Sequence, residues 1–148
     1  MTTVNDVFFL TMSLIDELSD RTGQPDLAET RDYRQRTPGI VTLLIGELHQ
    51  YSDTYAASVP GKRPVCPPVS GFEDEVCLDD FLCRSVLPYG LAARLLIDEN
   101  PATAAFYERE YTEMLVKYGL RIPSRIEPIR DIYGGVNAPG ECGAQSWR

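Results

Sequence analysis

Four stretches of this chain place apolar side chains at the three- and four-residue spacing of a helix buried along one side. In the first, Val4, Val7, Phe8, Thr11, Leu14, Ile15 and Leu18 share a face. Thr3 stands where an N-cap belongs and Asp6 three residues on, a weak form of the capping box, which predicts a helix over 4–20. Phe9, Leu10 and Met12 widen that face beyond a surface stripe, so either the domain core surrounds this helix or a second chain covers it. The second stretch, Ile40, Val41, Leu44, Ile45, Leu48 and Tyr51, predicts a helix over 38–55. A short charged helix over 27–36 precedes it, and Pro38 either starts a new helix or kinks a continuous one.

The third stretch, 78–99, opens on Asp79 and Asp80, whose charge suits a helix N-terminus. Its apolar residues, Phe81, Leu82, Val86, Leu87, Leu91, Ala92, Leu95 and Leu96, cover more than one stripe and need burial on more than one side. Pro88 lacks the N–H owed to the carbonyl of Arg84 and predicts a kink or a break. Asn100 and Pro101 then pair a capping side chain with a residue that has no N–H to orphan. The helix they begin, 101–118, turns Ala105, Phe106, Tyr111, Met114, Leu115 and Tyr118 inward and Glu108, Arg109, Glu113 and Lys117 outward. Gly119 is its expected stop.

The remaining segments are irregular by composition. Residues 21–25 form a loop. Pro60, Pro64, Pro67 and Pro68 exclude regular helix between Ala56 and Cys77, leaving a long excursion, extended or hairpin-like near Arg63 to Val69. After Gly119, Ile122, Ile126, Ile129, Ile132 and Tyr133 alternate with Pro123, Pro128 and the basic Arg121, Arg125 and Arg130. That segment carries too much apolar surface for a solvated tail, so it lies extended against its own domain or another subunit. Residues 134–148 are Gly-rich and polar apart from Trp147. The fold class expected is all-α: three to four bundled helices in a domain over 1–120, with the proline-rich excursion and an extended C-terminal arm over 121–148.

With 22 acidic and 14 basic residues the net charge is -8, the wrong sign for a free-standing duplex binder. No apolar run approaches the ~20 residues of a bilayer span. Met1 to Asp6 carries no basic residue before Phe8, unlike a secretory leader, so a cytoplasmic site of synthesis is expected. Cys66, Cys77, Cys83 and Cys142 form no Cys-x-x-Cys pair, and His49, the lone histidine, has no partner at ligand spacing, so neither a structural metal nor a cofactor is expected. In a reducing compartment these are free thiols.

Catalytic candidates are few. Glu47 and His49 stand two apart and diverge on a helix. Glu73, Asp74, Glu75, Asp79 and Asp80 form an acidic cluster able to attract a hard cation, but they lead into a helix N-terminus that favours acids without a ligand. Glu17 and Asp20 look like half of the paired acidic motif of all-helical nucleotide pyrophosphatases, and the second helix offers no matching half. No phosphate loop or nucleophile elbow is present.

The segment Leu87-Pro88-Tyr89-Gly90-Leu91-Ala92-Ala93, then Asp98-Glu99-Asn100-Pro101, then Phe106-Tyr107-x-x-x-Tyr111-x-x-Met114-Leu115 resembles the C-terminal helical hairpin of head–tail connector or adaptor proteins of tailed bacteriophages. The resemblance covers about a third of the chain and rests on packing motifs. It implies a non-enzymatic virion protein of the neck, made in the host cytoplasm: a homo-oligomeric ring, a dodecamer, that binds the portal and joins it to tail or stopper proteins. DNA passes through such a ring without being read. The contact residues expected are Arg121, Ile122, Arg125, Ile126, Ile129, Arg130, Ile132, Tyr133 and Trp147. A tail-completion protein and a small all-α nucleotide hydrolase are the alternatives.

Overall fold

The computed structural model describes residues 1–16, 22–25, 30–52, 54 and 67–119. They form an all-α bundle of four helices: α1 (Val4–Leu14), α2 (Arg31–Leu48), α3 (Leu87–Leu96) and α4 (Pro101–Gly119). A 3-10 turn, His49–Tyr51, closes α2, and a π turn, Leu82–Val86, leads into α3. No helix among the described residues is long and apolar enough to cross a membrane.

The start of α1 follows from two side chains. Thr3 Oγ1 accepts the Asp6 N–H at 3.2 Å, and the Asp6 carboxylate accepts the Thr3 N–H at 2.9 Å, so two orphan donors are satisfied reciprocally. The helix is shorter than its apolar pattern. Ile15 caps it, and Asp16 follows with φ 62°, a left-handed conformation that short polar side chains tolerate. Leu18, expected on the buried face, lies outside the described residues, as do the catalytic candidates Glu17 and Asp20. Met12 is fully buried, while Phe9 and Leu10 stay half-buried, so the domain core takes up part of the extra apolar width.

Pro38 lies inside α2, which runs on as one helix of 18 residues. The Thr37 hydroxyl donates to the Tyr33 carbonyl at 2.7 Å and the Thr42 hydroxyl to the Pro38 carbonyl at 2.9 Å. Val41, Leu44, Ile45 and Leu48 bury behind the proline, and that packing outweighs the lost backbone bond. The expected boundary at 38 therefore moves to 31, and the expected end at Tyr55 moves back to Tyr51. There Ser52 turns extended and its Oγ accepts the Asp79 N–H at 2.9 Å, which ties the end of α2 to the approach to α3.

Asp79 Oδ1 accepts from the N–H groups of Phe81 and Leu82, each at 3.1 Å, and so caps the segment that becomes α3. The break expected at Pro88 is met upstream by the π turn, in which the Leu87 N–H reaches the Leu82 carbonyl five residues back. Beyond it Leu87, Pro88, Gly90, Leu91, Ala92, Ala93, Leu95 and Leu96 are all buried. The reason is position: α3 packs against α1, α2 and α4 together. Thr11 satisfies its buried hydroxyl at the α1–α3 crossing by donating to Val7 at 2.8 Å and reaching Pro88 at 3.4 Å.

At the α3–α4 corner the Asn100 side chain accepts the Thr103 N–H at 3.1 Å. The inward face of α4 differs from the predicted one at its start. Ala104 and Tyr111 are buried and Tyr107, Met114, Leu115 and Tyr118 half-buried, whereas Ala105 is exposed and Phe106 is 56% exposed. Tyr107 takes the inward place because its hydroxyl donates to the Leu14 carbonyl at 2.6 Å, one of the groups left open at the end of α1.

The described end of the proline-rich excursion, 67–79, folds back onto the bundle. Phe72 meets Phe8 edge-on with ring centroids 5.4 Å apart, and the Arg34 guanidinium lies 4.3 Å over the Phe72 ring. Backbone bonds from Val4 to Asp74, Asn5 to Phe72 and Val76 to Thr2 fasten it beside the start of α1. Residues 55–66, including Pro60, Pro64 and Cys66, lie outside the described residues.

Candidate docking face

Of the residues that suggested chemistry, Glu47, His49, Asp74, Asp79 and Asp80 are engaged in local structure. Glu47, on α2, accepts from the Tyr111 hydroxyl at 3.2 Å and pairs with Arg94 at 3.4 Å. Burial first, and the Glu47 charge second, push the Tyr111 hydroxyl well above the ordinary phenol range, which keeps it a donor. His49 approaches the Gly46 carbonyl at 3.0 Å through Nδ1. The acidic cluster divides among separate tasks. Asp74 accepts the N–H groups of Ser70 and Gly71, which hold its carboxyl below the usual range. Asp79 caps α3 and accepts from Tyr118 at 2.7 Å, and Asp80 accepts from the Thr2 hydroxyl at 3.0 Å. Among the described residues no group of three His, Cys, Asp or Glu side chains could hold a metal ion.

Cys83 is fully buried, with its Sγ 3.6 Å from the Leu78 carbonyl. Burial pushes its thiol up to about 12. Cys77 is exposed, and both are free thiols.

Large apolar side chains also stand on the surface. Leu43 on α2 is 70% exposed, and Ile97, just past α3, is 55% exposed. Leu43 lines a groove of about 630 Å3 with Gln35, Arg36, Gly39, Ile40, Leu44 and Arg94. A smaller groove of about 350 Å3, between α3 and the start of α4, is lined by Ala93, Arg94, Ile97, Pro101, Ala104, Ala105 and Glu108. The two meet at Arg94, whose guanidinium lies between Glu47 at 3.4 Å and Glu108 at 3.9 Å. Arg36 joins the rim by donating to the Arg94 carbonyl at 3.3 Å and pairing with Asp98 at 3.4 Å.

No family model, no curated protein and no solved structure matches this chain.

The contact residues expected from the sequence, Arg121, Ile122, Arg125, Ile126, Ile129, Arg130, Ile132, Tyr133 and Trp147, lie outside the described residues. The grooved face was not foreseen. Its one local signal is Arg94, the sole charged residue of α3, a helix apolar nearly all round. A cation there requires carboxylates from neighbouring elements, and Glu47 and Glu108 supply them across 47 and 14 positions, a relation no helical period reports. On the outer face of α4 the ion pair formed is Arg109 with Glu113, at 3.0 Å.

Proposed function

We propose that this chain is a structural virion protein of a tailed bacteriophage, a head–tail connector or adaptor. It forms a ring on the portal and joins it to tail or stopper proteins around the DNA channel. It acts by assembly, without catalysis or a cofactor. The observation that carries this reading is a single contact. The Leu-Pro-Tyr-Gly-Leu-Ala-Ala and Phe-Tyr-x-x-x-Tyr elements, which carry the resemblance to that family, are the two halves of one packed hairpin. Gly90 of the first receives Tyr111 of the second so closely that a Cβ on Gly90 would stand 2.9 Å from the ring. The resemblance is thus of a packing unit rather than of scattered residues.

Charge and surface support the same reading. A net charge of -8 suits a wall past which DNA slides without adhering. The exposed apolar residues of α2 and of the α3–α4 corner suit contacts between subunits. The joining surfaces then include the arm over 121–148, by Arg121, Ile122, Arg125, Ile126, Ile129, Arg130, Ile132, Tyr133 and Trp147. Truncation after Gly119 is the test. The expected product keeps its helical circular dichroism and no longer enters the neck assembly; a truncated chain that assembles as the full chain does would contradict the role assigned to the arm.

A further inference from the structure

We propose that the groove crossing α2, α3 and α4 receives segment 121–133 of a neighbouring copy of this chain. The inference rests on the connector reading in one respect, that copies of the chain stand side by side.

Chemistry selects the occupant. The groove has an apolar lining at Ile40, Leu43 and Ile97, and the carboxylates of Glu47, Asp98 and Glu108 stand against the guanidinium groups of Arg36 and Arg94 that line it. Segment 121–133 carries the complementary set: isoleucines for the apolar lining, and Arg121, Arg125 and Arg130 against Glu127 and Asp131, a net charge of +1. The opposite signs favour encounter and fix register. Helix side chains line the groove, so recognition there needs no backbone ladder, and Pro123 and Pro128 forfeit no hydrogen bond by lying in it.

The connector reading supplies the neighbour, and distance and direction are compatible with it. The groove touches α4 at Pro101 to Glu108, whereas the chain leaves α4 at its other end, where Tyr118 packs on Phe81 and Asp79. The rise per residue separates Ala105 from Gly119 by about 21 Å. Thirteen residues extended reach about 43 Å, enough to cross to an adjacent molecule. Donor and acceptor at opposite ends of one body make a head-to-tail contact, the heterologous kind from which rings close.

The test is photocrosslinking of the full chain carrying Leu43→p-benzoylphenylalanine. Leu43 is 70% exposed, so the substitution leaves the core intact, and an unchanged thermal midpoint verifies it. The expected result is a covalent dimer in which mass spectrometry places the link within 121–133. Adding Ile126→Asp and Ile129→Asp should lower that dimer at least about tenfold, the equivalent of 1.4 kcal/mol. A link to 121–133 of the same chain, a link to any other segment, or no dimer overturns the proposal. The connector reading is judged separately, by whether the chain is found at the neck of particles. A chain at the neck without the arm link overturns the docking alone; an arm-linked dimer absent from particles supports the docking and overturns the connector reading.

Discussion

Gly90 has only a hydrogen where any other residue would place a carbon against Tyr111 at 2.9 Å and Leu44 at 3.1 Å. Both neighbours belong to the core, and Tyr111 is further held by its bond to Glu47, so neither gives way cheaply. Gly90→Ala should therefore destabilise the bundle by about 1–3 kcal/mol. It should appear as a lower urea midpoint at unchanged slope; an unchanged midpoint would mean that α3 and α4 are not held this closely. The cysteines support a second prediction at this scale. Cys83, buried and with its thiol held up near 12, stays protonated at neutral pH, whereas Cys77 is open to solvent. Iodoacetamide at pH 8 should label Cys77 in the folded chain and Cys83 only after unfolding, as read by peptide mass.

At the scale of elements, acid should loosen the ends before the core. Asp6 is held below its ordinary value first by the Thr3 N–H and then by the Thr3 hydroxyl, and Asp74 by the N–H groups of Ser70 and Gly71. A carboxyl depressed in the folded state stabilises fully above its unfolded value, and that contribution is lost as pH falls through the folded one. Urea midpoints should thus hold steady from neutral pH down to about pH 5 and fall below about pH 4. Asp6→Asn should flatten the fall; a variant with the parent's acid slope would show that the capping box does not act through its charge. The caps of α1 and α4 were legible because each is a local device, written within three residues at Thr3 and Asp6 and at Asn100 and Pro101. The course of α2 through Pro38 was not. A rule about one missing N–H carries no weight for the burial of Val41, Leu44, Ile45 and Leu48 behind it. The phase of α4 slipped at Phe106 and Tyr107 for a related reason. Two large rings side by side fit the period equally, and the carbonyl of Leu14, 93 positions away, decides between them.

For the molecule as a whole, the all-α bundle was readable because four long periodic stretches leave few other arrangements, and α3, apolar over more than one stripe, needed burial on more than one side. The grooved face was not readable, since it is made where three helices meet and depends on how Arg94 is shared between Glu47 and Glu108. The decisive measurement is electron cryomicroscopy of tailed particles assembled with this chain carrying a bulky tag after Met1, which is 95% exposed. A connector should show a ring of tag density at the neck, between portal and tail. Tag density at the tail tip or on the head shell, or particles that complete their necks without the chain, would contradict that role.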